Sequence, residues 1–129
     1  MRSRRDAENY LARLAGVAKK IDQASARMKD RDKQGVRPPD FILEATIGQM
    51  RRFTSSAPED NILTTSLATR LENVPEVDAV RRAKLTSAAG KLVAESVYPA
   101  YRRALDNLST IKAKANADEA VRVRDRAQR

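Results

Sequence analysis

The stretch Gly35-Val36-Arg37-Pro38-Pro39-Asp40-Phe41-Ile42-Leu43 decides how this chain folds, because it ends one helix and begins another. Glycine readily adopts the left-handed backbone that closes a helix, and two consecutive prolines prevent the helix from continuing. Pro39 has the fixed φ that suits the first turn of a new helix, and Asp40 lies near the positive end of that helix dipole. The stretch therefore predicts a turn that sets the angle between two helices.

The residues before this turn predict a long amphipathic helix from about Asp6 to about Lys33. Charged residues lie on its predicted solvent face, whereas apolar or small residues recur at alternating gaps of three and four. That seam consists of Leu11, Leu14, Ala18, Ile21, Ser25 and Met28. A seam this regular indicates packing against a neighbouring helix.

The residues after the turn predict two further helices. The second helix starts near Pro39 or Asp40 and ends in a loop over residues 54–58, and its buried stripe is Leu43, Ile47, Met50 and Phe53. Asp60 or Asn61 can cap a third helix. One side of that helix is lined by Leu63, Leu67, Leu71 and Val74.

Pro75 predicts the start of a fourth helix, with Glu76 and Asp78 in its first turn. The apolar face of this helix consists of Leu85, Ala88, Ala89, Leu92 and Ser96. Helical spacing resumes beyond Pro99, so we predict either one long helix kinked at Pro99 or two helices that meet there. No segment alternates as a strand. The expected fold is all-α, with four to five amphipathic helices in a bundle-like arrangement.

The composition excludes several kinds of active site. The chain has 129 residues, which is enough for one domain. Hydrophobic residues make up 41% of it, but they include only two Phe, three Tyr and no Trp. It has no histidine and no cysteine, so it offers no Ser-His-Asp triad, no Cys-His dyad and no histidine or thiolate ligand for zinc. We therefore assign no catalytic, cofactor-binding or metal-binding residue to this chain.

The formal net charge of +9 raises the question of an anionic partner. A basic chain can bind nucleic acid or anionic lipid nonspecifically, but solvated helix faces and a basic tail explain the charge as well, and we favour that interpretation. No apolar run reaches the roughly 18 residues of a membrane span, and the first residues lack the apolar core of a secretory signal. The sequence does not determine the cellular compartment of the protein, and the cytoplasm is the default expectation.

Four stretches, in this order and spacing, resemble a bacterial family, the domain of unknown function 885. The stretches are Asp6-Ala7-Glu8-Asn9-Tyr10-Leu11-Ala12-Arg13-Leu14, Gly35-Val36-Arg37-Pro38-Pro39-Asp40-Phe41, Pro58-Glu59-Asp60-Asn61 and Ser96-Val97-Tyr98-Pro99-Ala100-Tyr101. The resemblance covers about residues 6–119. The family-motif positions, which we interpret as structural, are Gly35, Arg37, Pro38, Pro39, Tyr98, Pro99 and Tyr101.

The resemblance implies an activity for relatives that this chain does not carry by itself. Relatives are longer helical proteins, some of them described as lipoproteins, and a later His-Glu motif in them resembles that of zinc metallopeptidases. Zinc is thus implied for full-length relatives only. The resemblance implies that this chain is an N-terminal or internal fragment of a metal-dependent hydrolase, inactive alone, whose partner is the missing C-terminal portion.

Residues 120–129 are expected to form a disordered basic tail, because four arginines stand there against one aspartate. The family-like register gives way at this point, and arginine at alternate positions is what a GC-rich gene yields out of frame. We therefore hypothesise a frameshift or an early stop. An ordinary basic tail is the alternative.

Each candidate site also has a structural interpretation. The Pro38-Pro39 turn could shape a substrate channel or simply fix an interhelix angle. The hydroxyls of Tyr98 and Tyr101 could stabilise an oxyanion or pack around Pro99. The arginine pairs 51–52 and 102–103 could bind an anion, and the acidic pairs 59–60 and 118–119 could bind magnesium, but neighbouring residues rarely converge on one ion. In each case we favour the structural interpretation.

Two functional hypotheses follow. The first is a fragment of a metallopeptidase-like protein that lacks the catalytic motif. The alternative is a small basic helical module that binds a protein partner or nucleic acid, and we regard nucleic acid as the weaker of these because no aromatic-interleaved basic motif is present.

Overall fold

A computed structural model describes residues 1–127, and that range is all-α without a strand. The helices are α1 (Arg4–Lys33), α2 (Asp40–Phe53), α3 (Ile62–Leu71), α4 (Ala79–Leu92) and α5 (Tyr98–Ala127), with a 3-10 turn at Pro58–Asp60 before α3. A π-helical turn, Val93–Val97, joins α4 to α5 into one continuous helix. The all-α prediction is confirmed, as is the alternative of one long last helix.

A capping box fixes the start of α1. The helix begins at Arg4, two residues before the start near Asp6 that the sequence predicted. The Ser3 hydroxyl accepts a hydrogen bond from the Asp6 backbone N–H at 3.3 Å. The Ser3 backbone N–H in turn donates to the Asp6 carboxylate at 3.2 Å. These two bonds satisfy donors that a helix start otherwise leaves free. All six residues of the predicted α1 seam are buried or half-buried.

The turn at 35–39 has the geometry of a Schellman motif. Gly35 has φ +81°, the left-handed conformation that the sequence predicted. The Gly35 N–H donates to the Asp32 carbonyl at 3.0 Å, and the Val36 N–H donates to the Arg31 carbonyl at 2.9 Å. These bonds satisfy the last carbonyls of α1. Pro39 precedes α2 as its N-cap residue, and Asp40 is the first helical residue.

Two glycines allow a direct test of this turn. Gly35→Ala should lower the free energy of unfolding by about 1 kcal/mol or more, because a Cβ is strained at positive φ. Gly16 lies inside α1 with nothing within 4 Å of a Cβ built on it, so Gly16→Ala should raise the free energy of unfolding by about 0.5–1 kcal/mol. Urea unfolding followed by circular dichroism measures both. Effects of the same sign would contradict the assignment.

Two apolar clusters hold the helices together. The larger lies between α1, α3, α4 and the π-helical turn, and its buried members are Ala7, Leu14, Leu67, Leu71, Val74, Val77, Ala89, Val93, Val97 and Tyr98. The smaller joins α2 to α5 through Leu43, Ile47, Leu108 and Ile111, with Met28 of α1 against it. The long last helix contributes to both clusters, so it organises the whole fold.

The predicted start of the fourth helix is wrong. Pro75 and Glu76 lie in the turn before α4, which begins at Ala79. Asp78 is the N-cap, and its carboxylate accepts the Arg81 backbone N–H at 2.8 Å. A side-chain cap satisfies a free donor at the helix start, which a proline cannot do. Val77 is also buried, so the turn itself is packed into the core.

Pro99 is accommodated inside a continuous helix. The preceding π-helical turn is wider than an α-turn, and the Tyr98 N–H donates five residues back to the Val93 carbonyl. A proline ring normally clashes with the carbonyl four residues earlier, and a wider turn moves that carbonyl away. The irregularity of the last helix therefore lies at Val93–Val97, just before the proline.

The stretch expected to be a disordered tail is helical as far as Ala127. Alanine, glutamate and arginine have high helix propensity, so the helix can continue without packing. Residues 116–127 are all exposed, among them Val121 and Val123. Residues 128–129 lie outside the described range. Within residues 1–127, no helix combines the length and apolar character that crossing a bilayer requires.

Candidate functional site

Arg37 forms an ion-pair bridge between the 35–39 turn and two helices. Its Nε donates to Oδ1 of Asp32 at the end of α1, and its Nη1 donates to Oδ2 of Asp118 in α5 at 2.5 Å. The Lys114 ammonium lies 3.6 Å from the other Asp32 oxygen. We call Asp32, Arg37, Lys114 and Asp118 the Arg37 cluster. It ties the turn to the far part of α5.

The Arg37 cluster stabilises the ionised form of Asp32. The hydrogen bond from Arg37 lowers the pKa of Asp32 below its usual 3.8, and the positive charges of Arg37 and Lys114 act in the same direction. Burial acts against them, since only 8% of Asp32 is exposed. The paired carboxylate is therefore stable as an anion at neutral pH, and it is poorly placed to exchange a proton there.

Removing the Arg37 charge should weaken the dependence of the free energy of unfolding on pH in the acid range. A lowered carboxylate pKa contributes stability above the unfolded value of about 3.8, and this stability is lost as the pH falls through the folded pKa. Arg37→Gln should therefore be less stable than the wild type at neutral pH, and this difference should narrow as the pH falls below about 4. Urea unfolding across this pH range measures the gap.

Asp118→Asn is the matched control for this prediction, because it removes only the exposed partner of Arg37. We expect it to be less destabilising than Arg37→Gln. A gap between Arg37→Gln and wild type that stays constant from neutral to acid pH would contradict the assigned role of Asp32.

Tyr98 joins the first turn of α5 to the loop between α2 and α3. Its hydroxyl donates to the Ser56 carbonyl at 2.8 Å and accepts from the Asn61 side-chain amide at 3.2 Å. The same Asn61 amide donates to the Phe53 carbonyl at 3.0 Å, and its oxygen caps α3 by accepting the Leu63 N–H. We call Tyr98, Ser56 and Asn61 the Tyr98 network. It leaves the Tyr98 hydroxyl fully engaged with the loop.

Tyr101 packs through its ring. It stacks on Phe53 with ring centroids 4.6 Å apart, and Phe53 also meets the Tyr98 ring edge-on at 6.3 Å. Burial raises the pKa of Tyr101 above its usual value of 10.0. Pro99 lies between the two tyrosines and is half-buried.

The structure does not bring the two groups of family-motif positions together. Tyr98 is the first residue of α5, whereas Asp118, which binds Arg37, lies twenty residues further along. At 1.5 Å per residue this separation is about 30 Å. The two groups therefore do not line one compact pocket.

The remaining candidate pairs are also dispersed. Glu59 lines an open groove of about 720 Å³ between α3 and α4, and none of the family-motif positions lines it. Arg103 forms a bidentate pair with Asp22 of α1, with distances of 3.1 and 2.9 Å. Across residues 1–127, no three acidic side chains are grouped so that they could hold a metal ion.

Sequence reasoning missed the partners that complete these two groups. Asp32, Ser56 and Asp118 carry no local signature, because their partners lie five to 81 residues away along the chain. Asn61 was identified as a helix cap only, and its contact with Tyr98 depends on packing.

A comparison with known families gives one match. The family described as "Bacterial protein of unknown function (DUF885)" matches residues 1–128. The match therefore extends past residue 119, where the sequence had suggested that the resemblance ends. No curated protein and no solved structure matches the chain.

Proposed function

Since the chain belongs to the DUF885 family of bacterial proteins, we propose that it forms the helical scaffold of a metal-dependent, metallopeptidase-like hydrolase. In this proposal it contributes no catalytic and no metal-binding side chain. The function resides in the complete protein, to which this chain supplies the framework.

The observation that carries the proposal is the role of Arg37. It is the only basic side chain of the stretch Gly35–Phe41, and its guanidinium is held by carboxylates from α1 and α5. These two ion pairs hold the 35–39 turn against α1 and α5, which is a structural role. The hydroxyl of Tyr98, held by Ser56 and Asn61, supports the same conclusion.

The residue types of the chain also support the proposal that it contributes no metal ligand. Zinc hydrolases hold their metal with histidine, cysteine or carboxylate ligands and leave one position for water. With neither histidine nor cysteine available, three converging carboxylates would be needed, and residues 1–127 offer no such group. The ligands of a metal centre would have to come from residues outside this chain.

The test compares this chain with a longer protein. The DNA downstream of residue 129 is read in all three frames, and the protein is extended through the frame that encodes a His-Glu motif with a further histidine. We expect zinc-dependent cleavage of a fluorogenic peptide by the extended protein and none by the 129-residue chain.

Two outcomes would contradict the proposal. One is that none of the three downstream frames encodes such a motif, because the proposal requires a reaction centre there. The other is zinc-dependent cleavage by the 129-residue chain at the rate of the extended protein.

A further inference from the structure

A cleft of about 580 Å³ lies between the last turns of α1 and the 35–39 turn. Its apolar lining comes from both sides: Ala24 and Met28 from α1, Val36 and Pro38 from the turn. Val36 is 58% exposed, although it is a large apolar side chain. Met28 is half-buried, and its flexible thioether can adapt to different neighbours. We call this feature the Met28 cleft.

The Met28 cleft is also lined by Arg27 and Arg31, both exposed. Within residues 1–127 neither guanidinium forms an ion pair. Residues four apart on a helix lie on the same face, about 5–6 Å from each other. Ala24 with Met28 and Arg27 with Arg31 therefore form an apolar row and a basic row side by side along α1.

The wall of the Met28 cleft opposite α1 is preformed. Arg37 also lines the cleft, and its guanidinium is anchored to Asp32 and Asp118. The Schellman hydrogen bonds of Gly35 and Val36 and the restricted φ of Pro38 further fix the turn. A ligand would thus meet an ordered surface and would bind without the cost of ordering this loop.

We propose that the Met28 cleft binds an acidic peptide segment. One apolar side chain of the peptide packs against Met28, Val36 and Pro38. Two carboxylates, one helical turn apart in the peptide, pair with Arg27 and Arg31, because that spacing matches the basic row. The proposal rests on the cleft alone and is independent of the proposed hydrolase.

Charge and shape favour this occupant over three others. A second copy on a two-fold axis would place Arg27 and Arg31 against the same face of its partner and meet like charge. Nucleic acid could pair with the arginines, but it has no counterpart for the apolar row, and the cleft lining holds no aromatic ring for base stacking. A flat lipid surface does not fill a cleft.

Fluorescence anisotropy with a synthetic peptide tests the proposal. The probe is a short fluorescein-labelled helical peptide with one exposed Leu beside two Glu residues one turn apart. Two comparison peptides replace either the Leu with Ser or both Glu with Gln. We expect saturable binding of the probe and a loss of about tenfold or more in affinity for each comparison peptide.

A charge-matched pair of variants localises the binding. Arg27→Glu with Arg31→Glu should weaken binding about tenfold or more. The control is Arg13→Glu with Lys20→Glu, which makes the same charge change at exposed positions nearer the start of α1 and should change affinity less than about twofold. Val36→Ser should weaken binding of the Leu probe, whereas Val80→Ser, at a similarly exposed valine of α4, should not.

Several results would overturn the proposal. These are no saturable binding at millimolar probe, equal weakening by the two charge-reversed variants, and equal binding of the Leu and Ser peptides. A further such result is that the chain binds duplex DNA or anionic lipid vesicles more tightly than the probe. If the Arg27/Arg31 variant lost that binding, the cleft would be assigned to that partner instead.

Discussion

Leu67→Ala should lower the free energy of unfolding by about 2–5 kcal/mol, the largest single effect that we expect in this chain. Leu67 is fully buried in α3, in the cluster that joins α3 to α1 and to the π-helical turn. Truncation removes apolar contacts and leaves a cavity that the neighbouring helices can fill only in part. A domain of this size is stable by only about 5–15 kcal/mol, so much of its stability would be lost.

Ile62→Ala is the matched control for Leu67→Ala. Ile62 belongs to the same helix, but it is 65% exposed, so its truncation should cost about 0.5 kcal/mol or less. Urea unfolding measures both variants, and the melting temperature of Leu67→Ala should fall by about 10 °C or more. Equal losses for the two variants would contradict the placement of α3.

Tyr98→Phe should lower the free energy of unfolding by about 1–3 kcal/mol. The ring and its packing remain, but the Ser56 carbonyl loses its donor and one proton of the buried Asn61 amide loses its acceptor. Leaving a buried polar group unsatisfied costs more than the net value of an average hydrogen bond. The effect therefore reports on the Tyr98 network and not on aromatic packing.

Tyr101→Phe provides the comparison, since the Tyr101 ring stacks on Phe53 and its hydroxyl has no hydrogen-bond partner within residues 1–127. Its cost should stay below about 0.5 kcal/mol. If Tyr98→Phe proved as mild as Tyr101→Phe, the α2–α3 loop would not be held to α5 in the way described.

The sequence predicted those features that depend on local chemistry. The alternating gaps from Leu11 to Met28 identified the buried face of α1, and Gly35 identified its left-handed end. Both follow from rules that act within a few residues. The all-α class followed in the same way, because every long apolar pattern had helical spacing.

The errors at helix starts arose where two local signals compete. Pro75 and Asp78 can each begin a helix, and the structure uses Asp78 because its carboxylate binds a free backbone donor. At α1 the capping box of Ser3 and Asp6 lay outside the apolar repeat, so the repeat alone placed the start too late.

The candidate site could be predicted only in part. The sequence identified Arg37 and Tyr98 through the family resemblance, but their partners Asp118 and Ser56 lie 81 and 42 residues away. Which surface carboxylate or loop carbonyl meets a given side chain depends on how the helices pack, and no local pattern encodes it. The Met28 cleft likewise could not be predicted from the sequence, because its shape depends on the angle between α1 and the 35–39 turn.

We propose that this chain carries a scaffold and no reaction centre of its own. A calorimetric zinc titration of the purified chain, free of any histidine tag, tests it most directly. We expect no stoichiometric site at micromolar zinc. Binding of one zinc ion per chain at micromolar affinity or tighter, lost when a chosen carboxylate is replaced by its amide, would contradict the claim.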